Sequence, residues 1–145
     1  METALRQAAV MTFEELGFLF TTPELNEQQR NAPVDAAVSV AFNGPLRGHL
    51  MVQVSGDWLP TLAANMLGED EPPPPGLQHD ALREIANVIC GNVLPAITGS
   101  REVFYLSPPQ IVEDTTQNGK PPTAAAHIGL EGGRADVLLF LDESS

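Results

Sequence analysis

The stretch from Asp80 to Leu94, DALREIANVICGNVL, constrains this chain more than any other. Leu82, Ile85, Ala86, Ile89 and Val93 recur at the three-and-four spacing that gathers apolar side chains on one stripe of an α-helix. Asp80, Glu84, Asn87 and Gly91 recur at the same spacing on a different stripe. One stripe is therefore suited to burial. The other presents a carboxylate, an amide one turn later, and then a glycine that clears space. Asp80 stands where an N-cap is expected, with Arg83 and Glu84 in the first turn.

The remaining segments alternate between helix and strand patterns. Glu2 to Gly17 reads as a first helix, with Leu5, Ala8, Ala9, Thr12, Phe13 and Leu16 on one stripe and Gly17 as its stop. Thr21 to Pro33 reads as a polar loop. Val34 to Phe42 alternates into Asn43-Gly44-Pro45 and Leu46 to Val54 alternates out, which predicts a hairpin. Ser55-Gly56-Asp57 is expected to cap a short helix through Leu67, with Trp58, Leu62, Met66 and Leu67 toward the core. Pro60 falls at its third position and Gly68 terminates it. Glu69 to Gly76 holds four consecutive prolines, so it is expected to be a stiff connector without helix or sheet. A tract for a proline-recognising domain is the alternative reading.

Pro95 predicts a kink or an end late in the Asp80–Leu94 helix. Ser100 to Leu106 and Gln110 to Val112 read as extended edges around Pro108 and Pro109, and Glu113 to Pro122 as a polar loop. Thr123 to Leu130 and Ala135 to Leu141 flank Glu131-Gly132-Gly133-Arg134 as a second hairpin, before a short tail from Asp142. Thr3-Ala4-Leu5-Arg6 opens the first helix as Asp80-Ala81-Leu82-Arg83 opens the second, and each hairpin has an arginine just past its turn. The pattern suggests a duplicated unit, with halves at about 1–68 and 77–142 joined by the connector 69–76. In that register Gln7 and Val10 stand where Glu84 and Asn87 stand, so one half alone has the polar pair.

These elements predict a single α/β (α+β) domain with long helices over one face of an antiparallel sheet. At 145 residues the chain is long enough for a real core. A formal net charge of -12 argues against nucleic acid and anionic membrane surfaces as partners. The acidity serves either solubility or the steering of a partner. Cys90 is the only cysteine, which excludes an internal disulfide and suits a reducing compartment; its expected role is core packing. With no leader pattern and no membrane-length apolar run, the expected location is the cytoplasm. His49, His79 and His127 lack ligand spacing, so no metal site is expected, and no nucleophile elbow, P-loop or dinucleotide fingerprint is present.

Glu84-x-x-Asn87-x-x-x-Gly91-Asn92, opened by Asp80 and followed a little over twenty residues after Asn87 by Pro108 and Pro109, resembles the signature helix of the CheC/CheX/FliY family of chemotaxis phosphatases. Pro109 is the nearer match to the family's late proline. A single polar pair resembles the single-site, CheX-like type. The resemblance implies hydrolysis of an aspartyl-phosphate on a CheY-type receiver domain that supplies its own Mg²⁺ and a lysine. Asn87 would orient the attacking water and Glu84 would pair with the receiver's lysine, with Asp80, Gly91 and Pro109 at the partner surface. It also implies a homodimer and no cofactor bound by this chain itself.

An amide suits the first of these roles. It does not titrate near neutral pH, but it accepts and donates hydrogen bonds. Phosphoryl transfer asks the protein mainly for positioning and electrostatics. Other readings remain open beside it. Glu84 and Asn87 fit solvated positions on an amphipathic helix, Gly91 fits a helix–helix contact, and Pro109 fits the shaping of a loop. The alternative function is a non-catalytic module that docks on a receiver or within a motility or signalling complex.

Overall fold

The structure is a computed structural model that describes residues 2–22, 24–99, 103–112 and 121–142. Its centre is the antiparallel pairing of β3 (Gly48–Gly56) with β7 (Gly133–Leu141), in register from Gly48 against Leu141 to Gly56 against Gly133. β3 forms a hairpin with β2 (Ala36–Asn43), and β7 forms one with β6 (Ala124–Leu130). Short strands finish the edges. β1 (Thr21–Thr22) pairs with β6, while β4 (Tyr105–Leu106) and β5 (Gln110–Val112) both pair with β2. Among the described residues the sheet has seven strands and every pairing is antiparallel.

Strand alternation sorts the side chains by face. Val38, Val40, Leu50, Val52, Val54, Ala135, Val137 and Leu139 turn toward the helices and form one buried core with them. Ala37, Met51, Leu138 and Phe140 form a second cluster on the opposite face. Over the first face lie α1 (Glu2–Met11), a π-helical turn (Thr12–Leu16), α3 (Leu59–Leu67) and α4 (Pro75–Thr98). α1 packs on β6 and β7, whereas α4 packs on β2, β3 and β5 and also against α1 and α3. α1 thus covers the second hairpin and α4 the first. The expected stripe Leu82, Ile85, Ala86, Ile89 and Val93 is fully buried, so the periodicity did report the packed face.

Several local expectations are corrected. α4 begins at Pro75, within the proline tract, with Pro74 at its N-cap. A proline is tolerated in the first turn because those N–H groups lack intrahelical partners in any case. Asp80 is therefore inside the helix and is not its cap. α4 also continues past Pro95 to Thr98, so of the kink or end expected at that proline the end is excluded, and it stops at Gly99, whose φ is +105°. α3 begins at Leu59 with Trp58 at the N-cap and no side-chain cap, so Asp57 does not cap it, and Pro60 is its second residue. Trp58 and Leu62 are buried, Met66 is half-buried, and Leu67 is exposed rather than core-facing. Gly68 ends α3 in the left-handed conformation, as its position suggested.

The segment read as a polar loop contains β1 and a short helix, α2 (Glu27–Asn31). Asn26 and Gln29 cap that helix reciprocally, at 2.7 and 2.8 Å. Residues 100–102, 113–120 and 143–145, which were read as strand, loop and tail, lie outside the described residues.

α2 is fastened by one buried guanidinium. Arg134 Nε donates to Asp136 at 3.1 Å, and its terminal nitrogens donate to the carbonyls of Gln29, Arg30 and Ala32 and to Ser55 Oγ. The glutamine of the cap is tied to the same place, since Gln29 Nε2 donates to the carbonyls of Leu130 and Gly133, each at 3.1 Å. Arg134 and Asp136 are 8 % and 4 % exposed. Removing one partner of a buried ion pair strands the other charge. Arg134→Ala is therefore expected to lower stability by about 3–5 kcal/mol in urea denaturation. Asp80→Ala, which removes an exposed pair, is expected to cost at most about 1 kcal/mol. Equal effects would contradict this ranking.

Candidate functional site

The polar stripe of α4 is the site that the helix offers. At about 100° per residue, Asp80, Glu84, Asn87 and Gly91 fall within an arc of about 60° and span about 16 Å of helix. Glu84, Asp80 and Gly91 are exposed and Asn87 is half-buried. The apolar stripe on the other side is fixed in the core by α1, α3 and the sheet. The polar stripe is therefore presented by a rigid element, not by a loop.

The four residues differ in what they already touch. Asp80 accepts a hydrogen bond from Arg83 at 2.6 Å, so its charge is locally balanced. Among the described residues, neither the Glu84 nor the Asn87 side chain has a hydrogen-bond or ion-pair partner. Both are free to engage an incoming surface. A Cβ built on Gly91 would meet nothing within 4 Å. Internal packing thus does not require glycine here, which removes the helix–helix contact reading. Mid-helix glycine costs about 1 kcal/mol relative to alanine, and no contact inside the chain offsets that cost. Pro95, four residues later, has no N–H to give the Gly91 carbonyl. Backbone and space are both open at this end of the stripe.

Pro109 is not on the stripe. It is half-buried and precedes β5, the edge strand against which α4 packs. Cys90 is wholly buried on the flank of α4 between the polar and apolar stripes, and burial pushes its thiol up to about 12. It stays a neutral packing group and takes no part in chemistry. It is expected to resist alkylation by iodoacetamide in the native protein at pH 8 and to react once urea unfolds the chain; rapid native labelling would contradict its burial. No cluster of potential metal-binding side chains occurs among the described residues. No described helix is long and apolar enough to cross a membrane.

The residue reading missed a second polar cluster, His127, Arg134 and Asp136, which lies across β6 and β7. Its one sequence signal is the spacing of Arg134 and Asp136, which places two charges on the same face of an otherwise apolar strand.

Comparison with known proteins places this geometry. A family model described as "Chemotaxis phosphatase CheX" matches residues 36–131, more than half of the chain. No curated protein is significantly similar in sequence. Among solved structures, the chemotaxis protein CheX from Desulfovibrio desulfuricans superposes with a TM-score of 0.76 at 18 % identity, covering 97 % of each chain. CheX from Vibrio vulnificus gives 0.73 at 16 % identity, covering 97 % of this chain and 95 % of that one. A CheX–CheY–BeF3–Mg²⁺ complex from Borrelia burgdorferi gives 0.67 at 15 % identity, covering 97 % of each chain. The antiparallel sheet under long helices is the fold these structures share, and the model match supplies the family: this chain belongs to the CheX family of chemotaxis phosphatases.

Proposed function

We propose that this protein hydrolyses the aspartyl-phosphate of a CheY-type receiver domain, using the polar stripe of α4. The observation that supports this most is Gly91. It is a helix-interior glycine with open space over it, on the same stripe as an unpartnered carboxylate and amide. Those features are costly or idle in the isolated chain and useful only when a second surface arrives. Family membership and the CheY complex of a neighbour in fold support a receiver as that surface.

In this reading the receiver brings its phosphoryl group, Mg²⁺ and lysine, and this chain brings position. Asn87 accepts one hydrogen bond from the attacking water through its carbonyl oxygen and fixes the water in line with the phosphorus. Its amide group donates to a neighbouring acceptor and holds the side chain in orientation. Glu84, one turn away, pairs with the receiver's lysine and sets the register of the helix in the site. Gly91 lets the receiver's backbone come close to α4, and Asp80 and Pro109 border the contact. The chain's net charge of -12 gives no general attraction for an acidic site, so the local pair at Glu84 has to supply recognition. The energetic demand is modest. Ordering a water and a phosphoryl group can contribute about 7–11 kcal/mol, and each tenfold in rate requires about 1.4 kcal/mol.

Asn87→Ala is expected to lower kcat for phosphate release by about 10²–10³, the usual cost of losing one positioned side-chain donor or acceptor, without a change in thermal stability. The assay uses the host's phosphorylated stand-alone receivers. Full activity in the variant would remove the amide mechanism. Binding of a phosphorylated receiver by the wild type without faster dephosphorylation would establish the non-catalytic docking module instead. Gly91→Leu is expected to weaken receiver binding by at least about tenfold while leaving the fold intact, since its side chain enters solvent. Unchanged binding would separate Gly91 from the contact. Pairing of two chains belongs to the same proposal, and a monomeric mass in light scattering at micromolar concentration would remove it.

A further inference from the structure

A second site lies on the other face of the sheet. Ala135, Val137 and Leu139 point toward the helices, so Arg134 and Asp136 point away from them. His127 pairs directly with Asp136 across β6 and β7. With Arg30 of α2 and Leu25 these residues line a cleft of about 450 Å³. Arg6, on α1 over the other face, donates to the His127 main-chain carbonyl at 3.3 Å and does not line the cleft. Two guanidiniums, Arg30 and Arg134, and one histidine therefore share the cleft with a single carboxylate, Asp136. In a chain of net charge -12, that local excess of positive charge needs a reason.

The groups are not equivalent. Arg134 is spent internally, because its bonds to Asp136, Ser55 and three carbonyls occupy the guanidinium. Asp136 is likewise spent. Arg134 lies 2.9 Å from its Oδ1, and His127 Nδ1 lies 2.6 Å from the same oxygen. The buried carboxylate is thus neutralised and repels no incoming anion. An ionised carboxylate only accepts, so Nδ1 donates to it and Nε2 is the ring atom left for a ligand. The His127 side chain is 53 % exposed. Asp136 therefore acts on a ligand only by orienting the imidazole, as carboxylates orient metal-binding histidines. The Arg30 side chain has no hydrogen-bond or ion-pair partner among the described residues.

We propose that this cleft binds a phosphate group, either free phosphate or a small phosphate monoester, through Arg30 and His127 Nε2. Arg30 offers guanidinium N–H donors to phosphate oxygens. In its neutral form the imidazole Nε2 accepts from the P–OH group of a protonated phosphate, which a carboxylate lacks, and in its charged form it donates to any anionic oxygen. The site is independent of α4, which lies on the opposite face over β2, β3 and β5.

The test is an NMR titration of the full chain with inorganic phosphate at neutral pH and constant ionic strength, with chloride as the exchanged anion. The expected result is saturable shifts at Leu25, Arg30 and His127. Arg30→Ala and His127→Gln, both at exposed positions, are each expected to weaken binding by at least about tenfold with the rest of the spectrum unchanged. Arg47→Ala, a cation removed from the first hairpin, is expected to have no effect. Parallel titrations with phenyl phosphate and acetate distinguish the ligand: tighter phenyl phosphate binding assigns a monoester, and tighter inorganic phosphate binding assigns the free ion. Linear shifts, acetate binding as tight as phosphate, or unchanged affinity in both variants would overturn the proposal.

Discussion

The pairing of β3 with β7 is the constraint on which the rest of the molecule depends. A two-stranded hairpin is marginal in water. Here two hairpins share their second strands, from Gly48 to Gly56 on one side and Gly133 to Leu141 on the other, and become one sheet with a continuous apolar face. The close end of that seam requires glycine on both strands. A Cβ on Gly133 would run into the Ser55 carbonyl oxygen, and one on Gly56 into that of Gly132. Gly56 also adopts φ +98°, a conformation that other residues reach only at a cost.

The helices inherit their positions from this seam. α1 rests on the second hairpin and α4 on the first, so neither hairpin can leave without uncovering the core of the other. Five residues of the α4 stripe have no solvent exposure. Burying each such side chain contributes about 1–3 kcal/mol, whereas Gly91 costs about 1 kcal/mol. The buried stripe outweighs the local cost of the exposed one. The exposed stripe can therefore contain a helix-weakening glycine and unpartnered polar groups without loss of the helix. Arg134 adds the second restraint. It attaches α2 through main-chain carbonyls to the sheet face beside the start of β7.

Much of this was legible in the sequence because it is periodic. The buried stripe of α4, both hairpins and the stop at Gly68 follow from spacing and turn chemistry, and so does the grouping of Asp80, Glu84, Asn87 and Gly91. What was not legible depends on partners distant in sequence or on rules with exceptions. Four prolines read as a break, yet Pro75 opens α4, because the first turn does not need its N–H. α2 is too short for periodicity, and its anchors, the Arg134 guanidinium and the Leu130 and Gly133 carbonyls, lie about one hundred residues away. Its capping pair, Asn26 and Gln29, was the available signal. Arg134 read as a turn residue, since no pattern shows that five acceptors converge on it. The open space over Gly91 belongs to the same class, because a sequence shows that a glycine is present but not what its missing side chain would have met.

The central claim is that α4 enters a receiver's site with Glu84 opposite the receiver's lysine. A charge-reversal cycle tests it most directly: steady-state dephosphorylation by wild type and Glu84→Lys, each against the native receiver and one in which that lysine is replaced by glutamate. The account predicts that Glu84→Lys raises KM at least about tenfold on the native receiver and that the reversed receiver restores it in part. Glu84→Lys with unchanged KM, or a reversed receiver that brings no recovery while still becoming phosphorylated, would contradict it.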